Sequence, residues 1–234
     1  MQRHIDLELS KVKEELVRMA SLAEAAIGLS VKALVSRDAE LARQVIASDD
    51  AINNLEIEID EQCLRTMALY QPEARDLRLL AMALKINNDL ERMGDQAVNI
   101  AERTLELLKE PLLKPLIDIP QMADVVQRMV KESLDAFVHQ DAQRAHAVCL
   151  QDDEVDRYDD QIFRELLTYM MEDPRTITRS VNLILVSRHL ERIADHATNV
   201  AEDVIYLAEG RSIKHHAQER GAGGRGSASQ TFRP

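Results

Sequence analysis

The chain has 234 residues, 45% of them hydrophobic and 30% charged, which is typical of a globular protein and argues against a disordered one. Its formal net charge of −12 argues against binding to the phosphate backbone of a nucleic acid, since like charges repel, and favours cations or basic protein surfaces as partners. Aromatic residues make up 3% and tryptophan is absent, so the composition favours helices over sheets.

The N-terminal sequence, MQRHIDLELSKVKEEL, lacks the hydrophobic segment of a secretory signal. No uninterrupted apolar run approaches the roughly 18 residues that a membrane span needs. Both cysteines, Cys63 and Cys149, lie within helical patterns and without the spacing of metal ligands, so we expect reduced core thiols. Together these features predict a cytoplasmic protein.

Long stretches without helix breakers predict six helices. Pro72 marks one helix start, and Asp173-Pro174 marks another, because Asp can cap free amides and Pro is tolerated in a first turn. The predicted helices span residues 8–36, 38–70 (with Ser48 as a candidate break), 73–109, 120–139, 141–172 and 175–209. Their short connections predict antiparallel neighbours.

The same breakers divide the chain into four parts. Residues 1–109 form a first three-helix repeat, 110–119 a Pro-rich linker, 120–209 a second three-helix repeat, and 210–234 a basic Gly/Ser-rich tail. The composition of the tail predicts disorder.

Internal similarity supports a duplication. The segment ERMGDQAVNIAE at 91–102 returns as ERIADHATNVAE at 191–202, and RDAELARQV at 37–45 resembles QDAQRAHAV at 140–148. A looser match joins SDDAINNLEIEID to QDDEVDRYDDQIF, in the same order along the chain. We therefore predict an all-α protein of two tandem three-helix bundles with long antiparallel helices, related by a pseudo-twofold repeat.

The third helix of each repeat carries an apolar stripe with alternating steps of three and four residues, as in a coiled-coil core. In the first repeat the stripe is Leu79, Ala83, Ile86, Leu90, Met93, Ala97, Ile100 and Leu107. In the second it is Leu183, Val186, Leu190, Ile193, Ala197, Val200, Val204 and Leu207.

Oxygen-bearing side chains share another face of these helices, almost opposite the stripe. At 100° per residue, Glu91, Asp95, Asn99 and Glu102 fall at about 0°, 40°, 80° and 20°, with the stripe centred near 220°. Glu191, Asp195, Asn199 and Glu202 repeat the arrangement. Carboxylates four residues apart can converge on one hard cation, although a charged outer face is also ordinary for a solvated helix.

A second acidic helix is expected to complete each site. The candidate ligands are Asp49, Glu56 and Asp60 in the first repeat and Asp152, Asp156 and Asp160 in the second. Oxygen ligands favour magnesium, manganese or iron; zinc prefers His or Cys but stays among the candidate ions. We expect Arg92 and Arg192 to point too far round the helix to neutralise both acids, and His196 to be solvated.

Two other functions stay open. A di-metal carboxylate oxidase would carry Glu-x-x-His motifs, but no Glu stands three residues before any of the seven histidines, and no phosphate loop or nucleophile elbow is present. A helical adaptor would present the acidic face to a basic partner without any metal. The sequence therefore favours binding over catalysis.

Four segments resemble the PhoU family. They are LERMGD at 90–95, LERIAD at 190–195, QPEARDLR at 71–78 and LTYMMEDPRTI at 167–177. The resemblance covers roughly residues 5–215 and implies the PhoU fold of two three-helix bundles, commonly in a homodimer. It also implies a cytoplasmic negative regulator of the phosphate-starvation (Pho) response that couples the phosphate ABC transporter ATPase to a sensor histidine kinase, and reaches the membrane only through these partners.

Members of this family have been seen with iron clusters or other metals on their acidic motifs, which implies metal roles for Glu91, Asp95, Glu191 and Asp195. Two departures bear on this. Asn53 stands where the second repeat has Asp156, which predicts a weaker first site. Ala194 stands where the first repeat has Gly94, which predicts tighter access to the second site.

Overall fold

The computed structural model describes residues 4–210, and every regular element within that range is helical. The helices are α1 (His4–Ser36), α2 (Ala39–Tyr70), α3 (Ala74–Leu107), α4 (Asp118–His139), α5 (Ala142–Cys149), α6 (Asp152–Glu172) and α7 (Ile177–Glu209), with a 3₁₀ turn at Pro174–Thr176. The predicted all-α architecture of two tandem three-helix repeats is confirmed. The predicted disordered tail lies outside the described residues, apart from Gly210.

Equivalent residues begin equivalent helices in the two repeats. The Asp38 carboxylate accepts hydrogen bonds from the backbone N–H groups of Glu40 (2.9 Å) and Leu41 (3.0 Å) and so caps α2. Asp141 caps α5 in the same way, by accepting from the N–H of Arg144 at 3.0 Å. Asp173 caps the turn into α7, as predicted, through the N–H of Arg175.

The predicted break near Ser48 is wrong, and the interruption lies instead in the second repeat. The Ser48 hydroxyl donates to the Val45 carbonyl at 2.8 Å, and α2 continues through it. In the second repeat, Leu150 and Gln151 form a turn in which the Gln151 N–H donates to the Val148 carbonyl at 2.9 Å. Three acidic residues, 152–154, then fill the first turn of α6, where the helix dipole favours negative charge.

The two bundles lie side by side and share one core. Helices α1–α3 pack together, as do α4–α7, and the bundles are joined where α3 meets α7 and where α1 meets α4. Every residue of both predicted apolar stripes is buried. Because α3 and α7 each have neighbours from both repeats, their buried surface extends well beyond the stripe, to polar residues such as Asn87, Asp89 and Gln96.

Helix α1 is the helix in the described range that is long and apolar enough to cross a membrane. Its most apolar window of 18 residues has a mean hydropathy of 1.4, but half of that window is buried inside the protein. Since α1 packs against α2, α3 and α4, most of its apolar residues are buried in the core.

The connection between the repeats is held in place by three cationic side chains. Arg37 donates to the carbonyl of Glu110 at 2.7 Å, and Arg179 donates to the carbonyl of Pro111 at 3.1 Å. The buried Lys114 contacts Glu165 of α6 and lies 3.7 Å from Asp118. The segment therefore lies against both repeats.

Candidate functional site: two carboxylate sets

In the first repeat, acidic side chains of α2 and α3 gather in the groove between the two helices. We call Asp49 and Glu56 of α2 with Glu91 and Asp95 of α3 the first carboxylate set. Burial raises the pKa of Glu91, and the neighbouring charges of Asp95, Glu56 and Asp49 add to that effect. Burial and Asp49 likewise raise the pKa of Asp95. The four carboxylates thus share one electrostatic environment.

The second repeat gathers its acids in the groove between α6 and α7. We call Asp152 and Asp156 of α6 with Glu191 and Asp195 of α7 the second carboxylate set. Burial, followed by the charges of Asp195 and Asp156, raises the pKa of Asp152 to about 6. The pKa values of the other three are also raised, with burial the largest cause for each. The duplication has therefore produced two grooves of like charge.

The expected solvated outer face is found only in part: Asp156 and Asp195 are exposed, whereas the glutamates of α3 and α7 are mostly covered. The Glu91 side chain is 21% exposed and that of Glu191 is 25% exposed. The acids of α3 and α7 face the neighbouring acidic helix, because α3 and α7 are central helices and little of their surface is left fully open. This partial burial raises the pKa values, because it disfavours the charged form of a carboxyl group.

The expectation that the arginines cannot neutralise both acids is wrong for Arg92. Its guanidinium lies 3.4 Å from Glu91 and 3.6 Å from Asp95, so one cation lies near both acids. In the second set, Arg188 lies 3.9 Å from Glu191 and 3.0 Å from Asp159. Each groove therefore has an arginine beside its acids, Arg92 in the first and Arg188 in the second.

Four other predicted ligands lie along the same helices, beyond the two sets. Asn199 lines a cavity of about 420 Å³ between α3 and α7, together with Asn88 and Asp203. Glu202 lies beside α5, where its charge contributes to the raised pKa of Cys149 after burial. Asn99 is half-buried, and Glu102 is exposed and 3.9 Å from Arg103.

The two remaining candidates of the second helices are engaged elsewhere. Asp60 accepts a hydrogen bond from the Asn87 amide at 2.9 Å, one turn nearer the end of the hairpin than Glu91. Asp160 is largely exposed and lies 3.7 Å from Arg164.

Asp159 is the acid that sequence reasoning missed. It is buried, accepts a hydrogen bond from the Ser187 hydroxyl at 2.9 Å, and pairs with Arg188. Spacing could have found it, because residues 152, 156 and 159 share a helix face more closely than 152, 156 and 160 do.

His196 is also placed differently from the expectation. It is not solvated but lies between the repeats, where its Nδ1 is 2.8 Å from Asp89. The nearby His189 has its Nδ1 2.8 Å from the Gln96 side-chain oxygen. Burial, with Arg192 and Arg103 nearby, lowers the pKa of His189 to about 4.

The first set differs from the second at Asn53, which replaces a carboxylate, and at Gly94, which replaces an alanine. The Asn53 amide donates to Asp49 at 2.9 Å, where the second set has the carboxylate of Asp156. A Cβ on Gly94 would lie only 2.9 Å from Cδ1 of Ile52. The second repeat has Ala194 at the position of Gly94 and Val155 at the position of Ile52, and both are buried. The methyl group that Ala194 adds is compensated by the Cδ1 methyl that Val155 lacks.

The donor set fits a hard cation better than zinc. All oxygen donors of the two sets are carboxylates, and the Asp49 Oδ1 atom is buried without a hydrogen-bond partner. Among residues 4–210, however, no three His, Cys, Asp or Glu side chains stand close enough together to hold a metal ion as placed. A bound ion would therefore need side-chain rotation within a set.

Comparison with known proteins identifies the family. The PhoU domain matches twice, at residues 16–104 and 119–204, and each match contains one carboxylate set. The chain belongs to the PhoU family. A PhoU homolog of Aquifex aeolicus, named a phosphate-specific transport system accessory protein, is 50% identical over 92% of this chain and 97% of its own length. A homolog of the same name from Pseudomonas aeruginosa is 44% identical over 92% of this chain and 89% of its own length.

Two solved structures show the same architecture. The crystal structure of PhoU from P. aeruginosa matches with a TM-score of 0.86 at 44% identity, covering 89% of this chain and all of that one. The phosphate transport system regulatory protein PhoU from Streptococcus pneumoniae matches with a TM-score of 0.83 at 30% identity, covering 89% and 99%. The two helix-bundle repeats are thus the PhoU fold.

Proposed function

We propose that this PhoU-family chain is a cytoplasmic negative regulator of the phosphate-starvation response. It couples the phosphate ABC transporter, through the transporter ATPase, to a sensor histidine kinase, and it reaches the membrane through these partners. The names of the similar proteins, accessory proteins of the phosphate-specific transport system, support this proposal. So does the net charge of −12, which favours basic protein surfaces over nucleic acid.

The observation that carries a metal-dependent role is the duplication of the carboxylate sets. Generic solubility requires only an acidic surface, whereas both repeats bring acids from two helices to one groove, and at least one acid from each of these helices is partly buried. All six of the clearly perturbed acids in the two sets have raised pKa values. Burial is the largest cause of each shift and the neighbouring carboxylates add to it, and a divalent cation would offset both by stabilising the charged forms.

In this proposal Glu91, Asp95 and Asp49 hold an ion in the first set, and Glu191, Asp195 and Asp152 hold one in the second. Magnesium, manganese or iron suits such ligands. The ion supplies positive charge between two helices, and the chain supplies the groove. Since Asn53 replaces one carboxylate of the first set, we expect the second set to bind more tightly.

Deletion of the gene tests the regulatory role. The deletion strain should express alkaline phosphatase in phosphate-rich medium, and the wild-type gene should restore repression. A variant with Glu91→Gln, Asp95→Asn, Glu191→Gln and Asp195→Asn should restore it poorly, whereas the exposed control Glu102→Gln should restore it fully. Unchanged expression after deletion would refute the regulatory proposal, and full complementation by the fourfold variant would refute the role of the sets.

A metal-free adaptor is the second candidate, and one observation favours it. No group of three metal-type ligands is preformed among residues 4–210. In this case the acidic grooves receive basic side chains of a partner. Metal analysis of natively purified protein separates the two candidates, because an adaptor would carry no more metal than the fourfold variant.

A further inference from the structure

An open cavity of about 460 Å³ lies at the end of the protein where α1 and α3 begin. Its volume is within the roughly 300–1,000 Å³ of typical small-molecule sites. Residues 6, 9, 10 and 13 of α1 line it together, because steps of three and four residues place them on one side of the helix. The start of α3 and Gln140, which ends α4, complete the described wall. Its charged residues in the described range are Asp6, Lys13, Glu73, Arg75 and Asp76.

Lys13 brings a primary amine into this cavity. Its side chain is half-buried, and no carboxylate of residues 4–210 forms an ion pair with it. Burial lowers the pKa of Lys13, and the nearby positive charge of Arg75 lowers it further. A larger fraction of this amine is therefore uncharged, and so nucleophilic, than in a solvated lysine.

Arg75 is the second cation in the cavity. Its guanidinium donates to the Gln140 side-chain oxygen at 3.2 Å, which ties the start of α3 to the end of α4. A guanidinium binds phosphate oxygens well, because its N–H groups form a planar fork. The cavity thus places an anion-binding group close to a nucleophilic amine, although the three acids of its lining oppose the entry of an anion.

We infer that Lys13 is a modification site, at which a small acyl phosphate transfers its acyl group to the side-chain nitrogen. The uncharged Nζ atom attacks the acyl carbon, so a C–N bond forms and the bond from that carbon to the phosphate oxygen breaks. The phosphate leaves with the bonding electron pair, and the proton that the nitrogen loses passes to the phosphate or to water. The product is a neutral amide, so one of the two cations of the cavity is removed.

Arg75 has two roles in this reaction. Its positive charge keeps part of the Lys13 amine unprotonated, and it attracts the phosphate group of the reagent. An acyl phosphate is therefore a better match to the cavity than an uncharged acyl donor. This inference does not depend on the proposed regulatory function.

Lys11 is a natural control on the same helix. Its side chain is 59% exposed and lies 2.8 Å from the Glu8 carboxylate. The hydrogen bond to Glu8 raises the pKa of Lys11, so its amine stays protonated. Lys11 is also absent from the described lining of the cavity. The two lysines are neighbours in sequence and differ in their surroundings.

Mass spectrometry of the full chain after incubation with acetyl phosphate tests the inference. Cleavage after glutamate releases residues 9–14, which contain both lysines, and fragmentation assigns the acetyl group to one of them. At mildly alkaline pH, Lys13 should be acetylated about fivefold faster than Lys11, or more. In concentrated urea, where the cavity is lost, the two rates should be equal.

The variant Arg75→Gln should reduce acetylation of Lys13 to roughly the rate of Lys11. The matched control is Arg18→Gln, which removes an exposed arginine of α1 outside the described lining and should change nothing. Acetic anhydride carries no phosphate, so with this reagent Arg75→Gln should cause a smaller loss. An equal loss with both reagents would overturn the acyl phosphate as the reagent.

Equal acetylation of Lys11 and Lys13 in the folded wild type overturns the inference, and this comparison needs no variant that could misfold. A preference for Lys13 that persists in urea also overturns it, since the sequence and not the cavity would then be the cause. So does an Arg75→Gln variant that keeps the wild-type preference. Each result is read on purified protein, so it is independent of the gene-deletion test.

Discussion

Asp89 of α3 and His196 of α7 form a 2.8 Å hydrogen bond between the two repeats, and the duplication creates its counterpart. His189 stands at the position equivalent to Asp89, and Gln96 at the position equivalent to His196, and these two are also 2.8 Å apart. One pair contains a carboxylate and the other an amide. The pseudo-twofold interface is therefore symmetric in shape but not in charge.

This difference predicts a pH dependence of stability from His189. Its folded pKa of about 4 lies below the ordinary value near 6.5, so the unfolded chain takes up a proton first as the pH falls. The contribution of His189 to stability is thus complete above about pH 6.5 and is lost as the pH falls towards 4. We expect this loss to be on the order of 1–2 kcal/mol, after allowance for the partial exposure of the ring.

Thermal unfolding of a His189→Gln variant at about pH 7.5 and about pH 5 measures this effect. The variant should lose less stability than the wild type between the two values. His139→Gln, at an exposed position on α4, is the control and should behave like the wild type. An unchanged slope in His189→Gln would show that the ring is protonated freely in the folded protein.

Asp152 predicts the opposite sign. Its folded pKa of about 6 lies above the ordinary value near 3.9, so the folded chain carries an electrostatic penalty above pH 6 that is relieved as the pH falls towards 4. Asp152→Asn should therefore stabilise the metal-free protein at pH 7.5 by about 1 kcal/mol, with the gain fading in acid. Denaturant unfolding in the presence of a chelator gives the value.

The neighbouring Asp153→Asn change serves as its control, because Asp153 is exposed in the same helical turn. We expect it to be close to neutral. A destabilised Asp152→Asn variant at pH 7.5 would contradict this prediction. It would mean that the Asp152 charge is stabilised by the 3.4 Å hydrogen bond from Thr198 and by the N-terminus of α6 more than it is destabilised by burial and the neighbouring acids.

Divalent cations should stabilise the wild type. An ion that binds only the folded chain adds about 2.7 kcal/mol for each site at a concentration of 100 times its dissociation constant. Thermal unfolding across a titration with Mn²⁺ measures this stabilisation. Glu191→Gln/Asp195→Asn should remove the larger part of the stabilisation by Mn²⁺, and Glu91→Gln/Asp95→Asn the smaller part. Equal shifts in all three proteins would place the bound ion outside both carboxylate sets.

The Gly94 and Ile52 contact predicts strong coupling between two substitutions. Gly94→Ala alone places a methyl 2.9 Å from Ile52 Cδ1 and should cost about 1 kcal/mol or more, in spite of the better helix propensity of Ala. Ile52→Val removes the obstructing methyl and alone should cost about 1 kcal/mol. The double variant reproduces the pair found in the second repeat and should be more stable than the sum of the single effects. Additive effects would show that the contact relaxes without cost.

The helices and the core were largely predictable because they depend on periodicity. All residues of the stripes from Leu79 to Leu107 and from Leu183 to Leu207 are buried, since a spacing of 3.5 residues reports a packed helix face. The turn at Leu150 and Gln151 escaped prediction because it contains neither glycine nor proline and depends on backbone hydrogen bonds.

The pairs Glu91/Asp95 and Glu191/Asp195 were predictable from the sequence, but several other expected ligands lie elsewhere and the environment of the pairs was not predicted. Sequence spacing brought Glu91 and Asp95 together, and similarity between the repeats added Glu191 and Asp195. The contact between α3 and α7 could not be predicted from the sequence. Asp89, Gln96 and His196 are polar, as on a solvated surface, and yet they join the two repeats. Partial burial of the acids comes from the groove that each central helix forms with α2 or α6 on another side.

The interruption between α5 and α6 makes the two halves mechanically unequal. In the first half, α2 continues without interruption past Asp49, whereas in the second half Asp152 is the first residue of α6, immediately after the turn at Leu150 and Gln151. A cation bound between Asp152 and Asp195 would restrict movement at the turn between α5 and α6. A cation bound between Asp49 and Asp95 would contact the middle of the continuous helix α2, which has no such turn. The same ion would therefore change the flexibility of one half and leave the other nearly as it was.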